Sequence, residues 1–298
     1  MTVEFDADLL PLLQEVAIQA RRDVLSKTLT GNWLSSFKGL GMEFSGYREY
    51  MPTDDAHLID WKASLRAHKL LIKQLEEERT LIVHLLIDTG STMLYGSKNR
   101  LKAEVAAHIA STIAYPALRS GDSCGLMMHG EELSGYAKPK TGMDQHALMT
   151  KLLTEPQRYG GSFNLTSALR KASGINKSKG LLVIISDFLN LQEGWGKELA
   201  AMHQRFDVIG IMLRDPRDRK LPDHTGSYQL EDPRTGETIT IDTDVYAKPY
   251  REYVLKQEQD IQQRFRSAQA ELLSIEVGED IRQVLLGFFA RRAAMMEG

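Results

Sequence analysis

Two apolar runs in this chain end in an aspartate, and hydroxyl side chains crowd both ends. Residues 81–87 run into Asp88-Thr89-Gly90-Ser91-Thr92, and residues 181–185 run into Ser186-Asp187. A third loop, Gly160-Gly161-Ser162, sets another hydroxyl beside two glycines. Carboxylates mixed with neutral hydroxyls are hard oxygen donors, the set that suits Mg2+ or Mn2+ with waters retained and one position open. The same Ser and Thr residues beside glycine also serve as ordinary turn and cap groups.

Two other chemistries fit residues 88–92 in isolation and fail in context. An aspartate before Thr-Gly can share a proton with a second such aspartate, as in aspartic proteases. No second Asp-Thr-Gly or Asp-Ser-Gly occurs in the chain. A glycine–hydroxyl turn can also cradle ATP phosphates, as in actin-like ATPases and sugar kinases, but there a second strand should follow at once. Here residues 94–100 lead into a helical pattern, and Gly160-Gly161 precedes the second aspartate strand rather than following it.

The elements that must position these residues follow from periodicity. Residues 81–87, 124–129, 181–185, 206–213 and 273–277 read as strands, with a short edge strand at 133–137. Helical spacing covers 100–118, 145–153, 165–172, 195–204, 246–272 and 281–294. Alternation of this kind predicts an α/β fold with a doubly wound, mostly parallel sheet and helices on both faces. Ligands then gather outside the carboxyl ends of the strands, where Asp88 and Asp187 fall. Residues 215–244 read as a turn-rich insertion with a hairpin through Gly236. Ahead of the sheet, 7–29 has helical spacing. Residues 31–65 mix glycines with Trp33, Phe37, Phe44, Tyr47, Tyr50 and Trp61, a composition of short strands and turns. The division expected is a lobe over 1–79 and the main domain over 80–298.

Bulk properties narrow the function classes. A net charge of −3 gives no general field toward nucleic acid or acidic membranes. The single cysteine, Cys124, excludes an intrachain disulfide and a cysteine zinc site. The acidic start and the lack of a run near the ~18 apolar residues of a spanning helix predict a cytoplasmic protein with no membrane span. His84 and His129 lie on strands, where a lone histidine is more often packed than catalytic.

The pattern Asp88, Thr92, Ser162, Asp187 resembles the metal-ion-dependent adhesion site of von Willebrand A domains, which implies these four as the candidate metal ligands. Gly90 stands where that site has a ligand serine, so the resemblance implies a degenerate site. A wider resemblance comes from Phe37-Lys38-Gly39-Leu40-Gly41-Met42-Glu43-Phe44, Arg48-Glu49-Tyr50, Asp54-Asp55 and Ile59-Asp60-Trp61-Lys62. Further on, Leu213-Arg214-Asp215-Pro216-Arg217 and Asp232-Pro233-Arg234-Thr235-Gly236-Glu237 continue it. Together these are similar to the family called domain of unknown function fifty-eight (DUF58). That resemblance implies a von Willebrand A-like fold and a MoxR-type AAA+ ATPase as partner. It also implies an adaptor or co-chaperone role toward a client protein, without a proven reaction. Thr53 and His57 depart from the family's usual glycine and arginine. Glu43, Arg48, Asp60 and Lys62 are read as buried ion pairs tying the lobe to the sheet, or alternatively as a partner-binding patch with Lys38.

The function expected is therefore a non-catalytic interaction module acting through the face above Asp88, Thr92 and Asp187. A divalent-metal phosphoester hydrolase at the same face and a metal-free scaffold are the competing readings.

Overall fold

A computed structural model describes residues 42–51, 54–55, 57, 59–77, 81–175, 178–222, 226–232 and 235–297. The helix expected over 7–29, and Lys38 and Thr53, lie outside them. The first described elements are β1 (Met42–Glu49), α1 (Trp61–Ala67) and β2 (Leu71–Glu77). β1 and β2 pair antiparallel, with a bulge between Phe44 and Gly46. Asp60 starts α1 by accepting from the amides of Lys62 and Ala63, a carboxylate N-cap of the ordinary kind. This helix corrects the expectation of strands and turns alone over 31–65.

The main sheet has six strands. They are β3 (Ile82–Asp88), β4 (Ser123–His129), β5 (Leu133–Lys140), β6 (Gly180–Ser186), β7 (Phe206–Arg214) and β10 (Glu271–Glu276). Their order across the sheet is β10-β7-β6-β3-β4-β5, with β5 antiparallel to β4 and every other pair parallel. Between β7 and β10 stand α6 (Pro216–Arg219), the hairpin β8 (Ser227–Glu231) with β9 (Thr238–Asp242), and α7 (Thr243–Ser267). The other helices are α2 (Lys102–Arg119), α3 (Met143–Leu153), α4 (Leu165–Ile175), α5 (Trp195–His203) and α8 (Ile281–Glu297).

Strand side chains alternate between two faces, and both faces here are apolar and covered. Val83, Leu85 and Ile87 of β3 and Leu181, Val183 and Ile185 of β6 pack with α2, α3 and α8 in one core. Leu86, Leu182 and Ile184 pack with Leu169, Leu199, Ile261 and Phe265 of α4, α5 and α7 in the other. Coverage on both faces is why these strands read as unbroken apolar runs rather than alternating ones. α2 runs through Pro116 without ending there. α7 stops earlier than its apolar pattern suggests, because Gln269 turns left-handed at φ 54° and Leu272 joins β10. No helix among the described residues is long and apolar enough to cross a membrane.

Candidate functional site

The chain leaves β3 toward β4 and β5 on one side, then returns to β6 on the other side. The switch point of the sheet therefore lies between β3 and β6, where α/β sheets open a crevice at the strands' carboxyl ends. Asp88 is the last residue of β3, and Asp187 follows the last residue of β6. Both carboxyl groups are buried.

Their hydrogen bonds are local and complete a small network. Asp88 Oδ1 accepts from the Gly90 amide at 2.7 Å, and Oδ2 accepts from Ser186 Oγ at 2.6 Å. Ser186 Oγ in turn accepts from the Phe188 amide at 2.9 Å. Phe188 has φ 51°, a costly conformation for a bulky residue, and its ring is held edge-on against Phe265 at 5.4 Å. Asp187 Oδ1 accepts from the Leu189 amide at 3.0 Å. Burial, and then the charge of Asp187, push the Asp88 carboxyl well above the usual carboxylate range.

A residue that the sequence pattern did not single out dominates this crevice. Lys102, in the first turn of α2, is almost wholly buried, at 1% exposed. Its ammonium lies 2.8 Å from Asp187 Oδ2 and 2.9 Å from Asp218 Oδ2. Burial alone would lower its proton affinity, but the charges of Asp187 and Asp218 outweigh that and hold it above the ordinary lysine value. Lys102 is therefore charged at neutral pH. A cation at a helix N-terminus opposes the macrodipole, and that misplacement was the one sequence signal available.

Asp218 is held by the turn that follows β7. Its Oδ2 also accepts from the Asp215 amide at 2.8 Å, while Asp215 accepts from the amides of Ser97 at 2.7 Å and Arg217 at 2.8 Å. Ser97 Oγ donates to Asp215 as well. The 213–217 motif thus does structural work beside the crevice, tying the turn after β7 to the loop before α2. Neighbouring Arg214 is fully buried, 3.3 Å from Glu258 Oε1.

The hydroxyl candidates sit nearby on loops bound to each other. The Ser91 amide donates to the Gly161 carbonyl at 2.8 Å, and the Gly160 amide to the Thr89 carbonyl at 2.8 Å. Gly161 takes φ 71° to present that carbonyl, a conformation glycine adopts without penalty. Thr92 borders a cleft of about 660 Å3 that it shares with Tyr95, Lys102, Arg217, Leu221, Leu230 and Tyr250. Ser162 lies in the loop packed against Gly130. The four expected ligands therefore come from adjoining loops and strand ends.

The donor set does not fit a divalent ion in this arrangement. The second oxygen of Asp187 is taken by an ammonium. A Cβ at Gly90 would lie 3.1 Å from Asp88 Oδ1 and 3.2 Å from Phe163 Cβ, so a serine there would be crowded. Among the described residues no three His, Cys, Asp or Glu side chains group to hold a metal.

The two strand histidines are packed groups. The His84 ring meets Phe206 edge-on at 5.4 Å in the core, and burial pushes its pKa down to about 4. His129 Nδ1 donates to the Gly130 carbonyl at 2.8 Å. The hallmark residues of the lobe pair differently from expectation. Arg48 makes a two-pronged ion pair with Asp54 at 2.7 and 2.8 Å, largely in solvent, and Asp60 caps α1 while accepting from Tyr47 Oη at 3.1 Å. These contacts stay within the lobe. The reading of Arg48 as a buried tie to the sheet is thereby corrected. Lys62 is exposed.

Against known proteins, the family model described as protein of unknown function DUF58 matches residues 46–261. The chain belongs to the DUF58 family. This DUF58 chain is 27% identical over 271 residues to an uncharacterized protein of Mycobacterium tuberculosis, Rv1480, covering 90% of this chain and 85% of that one. An uncharacterized protein of Mycobacterium avium, MAV169, is 30% identical over 159 residues, covering 52% of this chain and 92% of that one. Among solved structures, the conserved hypothetical protein BatB from Bacteroides thetaiotaomicron is similar, with TM-score 0.49 and 14% identity over 72% of this chain and 99% of that one. A von Willebrand factor type A protein from Catenulispora acidiphila is similar with TM-score 0.43 and 8% identity, over 75% of this chain and 44% of that one.

Proposed function

We propose that this DUF58 chain is a non-catalytic interaction module that docks a MoxR-type AAA+ ATPase, as adaptor or co-chaperone toward a client protein, through the strand-end face. The observation carrying this reading is the cleft of about 660 Å3 beside the switch point, walled by the 92–102 segment, the turn after β7 and the β8–β9 hairpin. Its lining mixes tyrosines and leucines with the cations Lys102, Arg217 and Lys220. Aromatic and arginine side chains around an apolar pocket are what protein interfaces favour. The partner's identity is taken from the family resemblance. The hydrolase reading would need a base to activate water, and His84 and His129 are packed away as described.

The test is quantitative capture of the MoxR-type ATPase from the same genome by the full chain. Leu230→Arg places a charge on the exposed hairpin wall, and a loss of at least about tenfold in affinity is expected if the face is a hot spot. Binding unchanged in that variant would remove the cleft from the interface. Turnover of generic phosphoesters with Mg2+ or Mn2+ above background would favour the hydrolase instead.

A further inference from the structure

We propose that Lys102 is the resident cation of the strand-end face, its ammonium replacing a divalent ion, so that recognition at this face is independent of metal. The partner-binding half of this statement rests on the function proposed above; the identity of the cation does not.

Three independent features of the geometry converge on it. The ammonium is buried at the carboxyl end of the switch point and contacts Asp187 and Asp218 together, at 2.8 and 2.9 Å. Asp218 belongs to the turn after β7, which the Asp215 contacts to Ser97 tie to the loop before α2. The lysine is thus built in from both sides rather than folded over a vacant carboxylate. The loop opposite is tight in the matching way: a Cβ at Gly90 would meet Asp88 Oδ1 at 3.1 Å and Phe163 at 3.2 Å, so the position of a ligand serine is crowded. Lys102 also occupies the worst end of a helix for a cation, a placement that the carboxylates of Asp187 and Asp218 offset.

An ammonium differs from Mg2+ in ways that matter for binding. It brings one charge rather than two, offers N–H donors rather than open coordination positions, and cannot be removed by chelators. A partner carboxylate therefore has no metal to ligate here. Recognition falls to the cleft in which Lys102 sits with Thr92, Tyr95 and Tyr250.

The test uses the full chain, stripped of metal, with Mn2+ followed by electron paramagnetic resonance and stability by thermal unfolding. The wild type is expected to bind no Mn2+ up to about 1 mM, the weak edge of the range over which protein cation sites fill. Lys102→Met, which leaves two carboxylates without their cation, is expected to lower the Tm by about 10 °C, from the cost of breaking a buried pair. Lys102→Arg keeps the charge and is expected to lose less than half of that shift. Should the Met variant fail to fold, Lys102→Arg and Asp218→Asn carry the comparison, with the Asn variant still binding no Mn2+. One Mn2+ per wild-type chain, abolished by Asp187→Asn, would overturn the proposal. So would a Lys102→Met protein as stable as wild type. Capture of the ATPase is expected to be equal in EDTA and in Mg2+, and capture that requires Mg2+ would also overturn it. Because Mn2+ binding is read on the chain alone, failure to capture that ATPase would count against the proposed function and leave the cation's identity decided by the Mn2+ result.

Discussion

Acid should destabilise this protein through two core histidines, and the size of the effect can be worked from their surroundings. His84 on β3 and His108 on α2 are buried, and burial pushes each down to about 4; for His108 the charge of Arg100 adds to this. Among the described residues, His84 Nε2 and both ring nitrogens of His108 have no hydrogen-bond partner. A histidine whose folded pKa is depressed binds its proton more readily in the unfolded chain. Its stabilising contribution is complete above the unfolded value of about 6.5 and is lost as pH falls toward the folded value of about 4. Between pH 7 and pH 5 each histidine costs about 2 kcal/mol of stability, roughly 4 kcal/mol for the pair. The raised carboxyl of Asp88 acts in the opposite direction over this range, so the wild-type slope alone does not isolate the histidines. The double variant His84→Leu, His108→Leu does. Urea unfolding at pH 7 and pH 5 should show the wild type losing about 4 kcal/mol more than the variant. At pH 7 the variant should be near wild type, because it removes buried polar atoms that lack partners. Equal pH slopes for the two proteins would refute the placement of these rings in the apolar core.

Two further substitutions probe packing at the site and at the sheet. Gly90→Ser restores the hydroxyl that an adhesion-type loop would carry; the backbone at φ −62°, ψ 159° accepts it. The crowding by Phe163 and Asp88 should nevertheless cost about 1–3 kcal/mol in urea unfolding, with no Mn2+ binding gained. A stable variant that takes up Mn2+ would show that the loop opens. Gly210→Ala puts a methyl group against the Phe265 ring, with Leu272 Cδ1 2.8 Å away. Overpacking there should cost about 1–3 kcal/mol, read as a lowered Tm, and an unchanged Tm would mean that α7 is free to shift from β7.

How much was legible in the sequence depended on the range of the interactions involved. The central strands and their flanking helices are written in local apolar periodicity, so β3, β6 and β7 and helices α2, α3 and α5 fall close to where the pattern puts them. Asp88 and Asp187 could be assigned to strand ends because each directly follows an apolar run. The lobe was less readable. α1 depends on a single capping carboxylate, Asp60, within a glycine- and aromatic-rich stretch whose average composition speaks for turns. The Arg48–Asp54 pair lies within six residues, yet the sequence could not say whether that charge would turn inward or, as found, into solvent.

The sequence by itself determined the class of fold, the order of its elements and the position of two aspartates at the sheet's carboxyl edge. These follow from propensities and periods that act over a few residues. Only the tertiary structure decided what the aspartates face. Lys102 and Asp187 are 85 residues apart, and Lys102 and Asp218 are 116 apart. Their meeting depends on where α2 and the turn after β7 come to rest against the sheet. No local rule carries that information. A charge balance among buried groups is set by distances of a few ångströms in low dielectric, and those distances exist only once the chain has folded.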